Sequence, residues 1–167
     1  MLVIGVDPGT AITGYGLVRD DEHGKLVAVD FGVITTPSNL PMPERLLQLY
    51  HRLRELLSRY HPESGAVEKL FLQRNVRTAI SVGQGRGIAL LALAEACIPV
   101  AEYTPLEIKQ AVTGYGGAEK MQVQQMVKYL LGLSEIPRPD DAADALAVAI
   151  CHLHSARTQS LYAGGVR

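Results

Sequence analysis

The sequence predicts an α/β layered domain with a mixed central sheet of about five strands flanked by helices. Three strand-like segments open the chain, and helical and strand-like segments alternate after them. The 167 residues are 47% hydrophobic and 20% charged, an ordinary globular profile with enough apolar material for one buried core. Residues 1–157 are expected to form that single domain, and residues 158–167 a patternless, mobile C-terminal tail.

Residues 2–7 are an apolar run closed by Asp7-Pro8-Gly9, a strand ended by a turn. Residues 14–18 and 26–35 read as two further strands around the polar turn 20–24, so the opening is an antiparallel meander. After a Pro-rich stretch, Leu46, Leu49, Tyr50, Leu53, Leu56, Leu57 and Tyr60 recur at helical spacing. Pro62 stops that helix, because the residue before a proline avoids helical geometry. A short strand then ends at Glu68.

Residues 76–96 form an Ala-rich helical segment carrying Gly83, Gly85 and Gly87, and residues 99–103 another strand. Small residues four apart on that helix suit close helix contact, such as contact across a dimer, better than a phosphate cradle. Thr104-Pro105-Leu106-Glu107 is a helix start with a capping threonine, a first-turn proline and a glutamate placed to complete a capping box. The loop Gly114-Tyr115-Gly116-Gly117 precedes a helix over 119–131, and Pro137-Arg138-Pro139 separates it from a last helix over 140–155. His152 and His154 read as helix-end histidines.

No apolar stretch reaches the length of roughly 18 residues needed to span a membrane, and no signal-peptide pattern opens the chain, so a cytoplasmic protein with no membrane partner is expected. Cys97 and Cys151 fit no disulfide or zinc pattern and are expected in the core. Net charge is −1, but it is unevenly spread: residues 69–128 carry +3. That stretch holds Lys69, Arg74, Arg77, Arg86, Lys109, Lys120 and Lys128, which suit either ordinary solvated surface or a phosphate-facing one.

The chemistry-bearing residues are four carboxylates entering apolar surroundings, a costly placement unless they are paired or metal-bound. Asp7 and Glu68 each close a strand, and strand ends are where α/β sheets put their sites. Asp141 and Asp144 are three apart, so they share one helix face, and Asp144 is followed by Ala145-Leu146-Ala147-Val148. Asp140 reads as a helix cap. An all-carboxylate set suits Mg²⁺ or Mn²⁺, and two such ions form the usual clamp for phosphodiester cleavage. Phe71, beside Arg74, Asn75 and Arg77, suits base stacking as well as ordinary core.

These segments, in this order and spacing, resemble the RuvC family of Holliday-junction resolvases over nearly the whole chain. The resemblance is carried by Gly5-Val6-Asp7-Pro8-Gly9, Thr13-Gly14-Tyr15-Gly16, Val67-Glu68-Lys69-Leu70-Phe71 with Asn75, and Gln84-Gly85-Arg86-Gly87. It continues through Ile108-Lys109-Gln110, Ala118-Glu119-Lys120 and the run Asp141-Ala142-Ala143-Asp144-Ala145-Leu146-Ala147. The resemblance implies an RNase H-like fold and a homodimer that nicks opposed strands of a four-way DNA junction during recombination and repair. It implies Mg²⁺-dependent hydrolysis leaving 5′-phosphate and 3′-hydroxyl ends, and partnership with the RuvA–RuvB branch-migration machinery. The family's acidic ligands fall on Asp7, Glu68, Asp141 and Asp144, its active-site lysines on Lys109 and Lys120, and its stacking aromatic on Phe71. Arg74, Asn75 and Arg77 are further candidate DNA contacts.

Asp7-Pro8-Gly9-Thr10 also matches the first phosphate loop of the sugar-kinase, actin and heat-shock ATPase group. That fold needs two lobes and a second glycine-rich loop, for which 167 residues leave no room. A junction-binding module without cleavage has no use for four converging charges. An RNase H-like nuclease acting on RNA is not separated from one acting on DNA by the basic segment at 71–77.

Overall fold

A computed structural model describes residues 1–69 and 76–164 of the chain. The strands are β1 (Leu2–Asp7), β2 (Ile12–Asp20), β3 (Leu26–Thr35), β4 (Ser64–Glu68) and β5 (Val100–Tyr103). The helices are α1 (Met42–Tyr60), α2 (Val76–Glu95), α3 (Pro105–Thr113), α4 (Lys120–Leu130) and α5 (Asp140–Gly164). The strands form one five-stranded sheet in the order β3-β2-β1-β4-β5. β1, β2 and β3 pair antiparallel as the expected meander, while β4 and β5 add in parallel beside β1.

Side chains alternate across a strand, so each strand feeds two cores. On one face Ile4, Val6, Leu17 and Val67 pack with Leu49, Leu53 and Leu57 of α1 and Ala89, Ala92 and Leu93 of α2. On the other, Val3, Val18 and Ala66 pack with Ile108 and Val112 of α3, Val123 and Val127 of α4, and Leu146, Ile150 and Leu153 of α5. The capping box at Thr104 and Glu107 forms as the sequence predicts, and Glu119 with Gln122 makes a second one at the start of α4.

Several bounds and contacts differ from expectation. α1 starts at Met42, ahead of the apolar repeat, because Pro43 is tolerated in a first turn. α5 runs to Gly164, well past residue 155, so part of the expected tail is helical. His152 and His154 therefore lie inside a helix rather than at its end. His152 Nε2 is 2.7 Å from Ser64 Oγ and its Nδ1 is 2.8 Å from Tyr103 Oη, tying α5 to β4 and β5. Cys151 is buried, and burial pushes its thiol up to about 11. Cys97 is exposed, on a left-handed residue (φ 56°) that turns the chain after α2. Among the described residues no helix is long and apolar enough to cross a membrane.

Candidate active site

The α5 side of the sheet is cut down to backbone along its centre. Gly5 of β1 lies opposite Gly16 of β2, and Asp7 lies opposite Gly14. A Cβ on Gly14 would stand 1.9 Å from the carbonyl oxygen of Asp141, and one on Gly5 would stand 2.2 Å from that of Ala145. Neither site has room for a side chain, so α5 rests directly on the strands. The alanines of α5 serve the same end from the helix side: Ala142, Ala145 and Ala149 are fully buried. The close approach sets Asp141 and Asp144, in the first turns of α5, over the end of β1.

Asp7 and Glu68 reach the same place from below. Val6 pairs with Val67 in the parallel β1–β4 ladder and both face α1 and α2, so the next residues, Asp7 and Glu68, both turn toward α5. The turn after Asp7 is fastened by its neighbours. Thr13 Oγ1 donates to the Gly9 carbonyl (2.5 Å), Thr36 Oγ1 donates to the Thr10 carbonyl (2.5 Å), and Thr10 hydrogen-bonds Ser81 of α2. A Cβ on Gly85 of α2 would meet the Gly9 backbone at 2.9 Å, so α2 braces this turn as closely as α5 covers the strand.

The resulting field is strongly negative. Burial first, and then the charges of Glu68, Asp144 and Asp141, push the Asp7 carboxyl up to about 8. Burial and Asp144 raise Glu68, against the pull of its hydrogen bond to Asp7 and of Lys120 and Lys109. Asp144 is raised by burial, with Lys120 working the other way. A cavity of about 270 Å³ opens beside these groups, lined by Glu68, Lys109, Lys120 and Asp144 over an apolar floor of Pro105, Ile108, Val123 and Ala147.

Lys120 Nζ is 3.0 Å from Asp144 Oδ2 and 3.5 Å from Asp140 Oδ2. Burial works to lower the Lys120 pKa, but its bonds and attraction to the two aspartates win and raise it. Asp140, expected as a cap, is the first residue of α5, and its carboxylate holds Lys120 and accepts from Arg138 Nη1 at 3.1 Å. That role is invisible in the sequence, since Lys120 and Asp140 are 20 positions apart.

The four carboxylates and both lysines of the sequence reading thus meet at one end of the sheet. Among the described residues, however, no three His, Cys, Asp or Glu side chains converge closely enough to hold a metal ion. The set still fits a hard divalent ion, being all oxygen donors around a carboxyl that burial and its neighbours' charge have driven far above its ordinary value. Phe71, Arg74 and Asn75 lie outside the described residues. Arg77 lies in the first turn of α2, and its side chain is also outside them.

Residues 3–152 match the family described as crossover junction endodeoxyribonuclease RuvC. The chain is 60% identical over 160 residues to the crossover junction endodeoxyribonuclease RuvC of Syntrophomonas wolfei, covering 96% of this chain and 92% of the relative. Against the protein of the same description from Chloroflexus aurantiacus it is 59% identical over 158 residues, covering 95% and 96%. Among solved structures it resembles T. thermophilus RuvC in complex with Holliday junction substrate. That likeness has a TM-score of 0.90 and 40% identity over 96% of this chain and 97% of the other.

Proposed function

The chain belongs to the RuvC family of crossover junction endodeoxyribonucleases, and from that membership we propose that it resolves four-way DNA junctions by paired, divalent-metal-dependent nicks. The observation that carries the mechanism is the meeting of Asp7, Glu68, Asp141 and Asp144 beside Lys109 and Lys120. Asp7 and Glu68 from the strand ends, with Asp141 and Asp144 from α5, are the residues to hold two Mg²⁺ ions, or Mn²⁺ in their place. When bound, the ions supply Lewis acidity at the attacking and departing oxygens of the phosphodiester.

The chain's own groups do the rest. Lys109 and Lys120 line the cavity and neutralise charge that grows on the phosphate oxygens in the transition state. Lys120 changes partners: its bond to Asp144 screens that carboxylate in the free protein and is exchanged for phosphate when DNA enters. The close backing of α5 and α2 on the Asp7 turn supports a preorganised site, so little rearrangement is required at the moment of reaction. Hydrolysis is proposed to leave a 5′-phosphate and a 3′-hydroxyl.

Paired nicks require two such sites. The outward face of α2 supports a homodimer: Ile80 is 59% and Leu91 55% exposed, and a Cβ on Gly87 between them would touch nothing. This stripe, in which exposed Gln84 is the polar member between Ile80 and Gly87, favours close helix contact with a second copy. Partnership with the RuvA–RuvB machinery belongs to the same reading, resting on family membership alone, as does action in the cytoplasm. The test is a synthetic four-way junction incubated with the protein and Mg²⁺. Symmetry-related nicks are expected, lost with chelator and lost in Asp7→Asn, which still binds the junction. Equal cutting of linear duplex contradicts the proposal.

A further inference from the structure

The loop between the two lysine-bearing helices presents side chains that the core does not use. Tyr115 is 66% exposed and Leu106, at the start of α3, is 64% exposed. The loop that carries Tyr115 is nevertheless firmly built. Gly114 ends α3 in a left-handed conformation (φ 76°), with its N–H bonded to the Gln110 carbonyl and its own carbonyl accepting from Gln110 Nε2 at 2.8 Å. Thr113 Oγ1 accepts from the Tyr115 N–H at 3.1 Å and lies within bonding distance of the carbonyls of both Lys109 and Tyr115. The two glycines that follow are packed: a Cβ on Gly116 would stand 3.1 Å from Leu106 Cγ, and one on Gly117 would stand 2.6 Å from the Tyr115 phenol.

A tyrosine held in this way loses little conformational freedom when something settles on it, because the loop has already ordered it. Its neighbours say what that something is. The loop is fastened to the turn carrying Lys109 and leads within three residues to Lys120, and both lysines line the cavity beside Glu68 and Asp144. An exposed aromatic ring on the loop that joins two helices whose lysines line one cavity suits the uptake of an unpaired base, which stacks on aromatic rings beside a cationic backbone track.

We propose that Tyr115, with Leu106 at its side, is a stacking platform for a nucleobase flanking the cleaved phosphate, and that it biases which position in the junction is cut. The inference rests on the resolvase reading above. It differs from the sequence expectation for Phe71, which lies in a different segment of the chain.

The test compares the wild type with Tyr115→Ala, Tyr115→Phe and Gly117→Ala on junctions that present the same crossover at several sequences. Tyr115→Ala is expected to cut about tenfold more slowly and with an altered distribution of cut positions, while its melting temperature is unchanged. Tyr115→Phe should match the wild type. Gly117→Ala, which pushes the ring from its seat without removing it, should fall between. In an Asp7→Asn background, the fluorescence of 2-aminopurine next to the cut position should be quenched by the protein that keeps Tyr115 and left unquenched once Tyr115→Ala is added. Cutting by Tyr115→Ala at wild-type rate and positions overturns the inference and leaves the resolvase reading intact. Equal loss in Tyr115→Phe, or a lowered melting temperature in Tyr115→Ala, also overturns it, pointing to the hydroxyl or to stability instead. A wild type that cuts no junction overturns the resolvase reading, and this inference with it.

Discussion

Two carboxylates one ladder step apart on the β4–β5 pair meet opposite fates. Glu102 pairs across from Val67 and turns toward α2, where Arg86 forms an ion pair with it. Glu68, the next residue along β4, turns toward α5, where burial and Asp144 raise it and no ion pair reaches it among the described residues. The first carboxylate has its cation supplied by the chain, as a structural charge must if it is not to cost stability. The second is left short of positive charge, together with Asp7. A fold that neutralises a carboxylate on one face of the sheet and leaves those on the other face short of positive charge supports the proposed cation site there.

The largest expected difference between the two sides comes from Asp7→Asn. Junction nicking should fall below detection in a strand-cleavage assay, while chemical denaturation near neutral pH should show a more stable protein, since the folded state no longer has to take up a proton to bury an ionisable carboxyl among like charges. A destabilised Asp7→Asn protein would break the contrast. Next is Gly14→Ala, whose Cβ would collide with the Asp141 backbone; displacing α5 should cost about 3 kcal/mol in urea unfolding and impair nicking as well. Lys120→Met should slow nicking about 100-fold under single-turnover conditions with junction binding only modestly weakened. Smallest is Arg86→Met on the paired side. Its partly exposed ion pair should be worth about 1 kcal/mol of stability, with nicking per folded molecule retained.

The order of elements, the meander, the Thr104 cap and the four carboxylates were all legible in the sequence, because apolar periodicity and turn chemistry are local signals. What the sequence did not show depends on packing. Gly5 and Gly14 look like ordinary strand glycines until α5 lies on them, yet they are what brings Asp141 and Asp144 to Asp7. Asp140 looked like a cap because its partner Lys120 sits on another helix. Cys97 was expected inside because its neighbours are apolar, but it stands on the turn that ends α2, where the chain leaves the core. The start of α1 and the end of α5 lie beyond the expected bounds for a related reason: helices continue wherever tertiary contacts support them, past the stretch with clear periodicity.

The pH dependence of stability, with and without divalent metal, tests the central claim most directly. Folded Asp7 keeps its proton up to about 8, whereas the unfolded chain releases it near the ordinary 3.8. Between those values the folded state holds more protons, so stability should fall as pH rises, with Glu68 and Asp144 acting in the same direction. An ion that binds the ionised carboxylates should reverse the loss. Adding Mg²⁺ or Mn²⁺ should therefore raise the melting temperature by several degrees at about pH 8, much less at about pH 5, and hardly at all in Asp7→Asn. A melting temperature indifferent to metal at about pH 8, or raised equally in Asp7→Asn, would contradict a metal site at these four carboxylates.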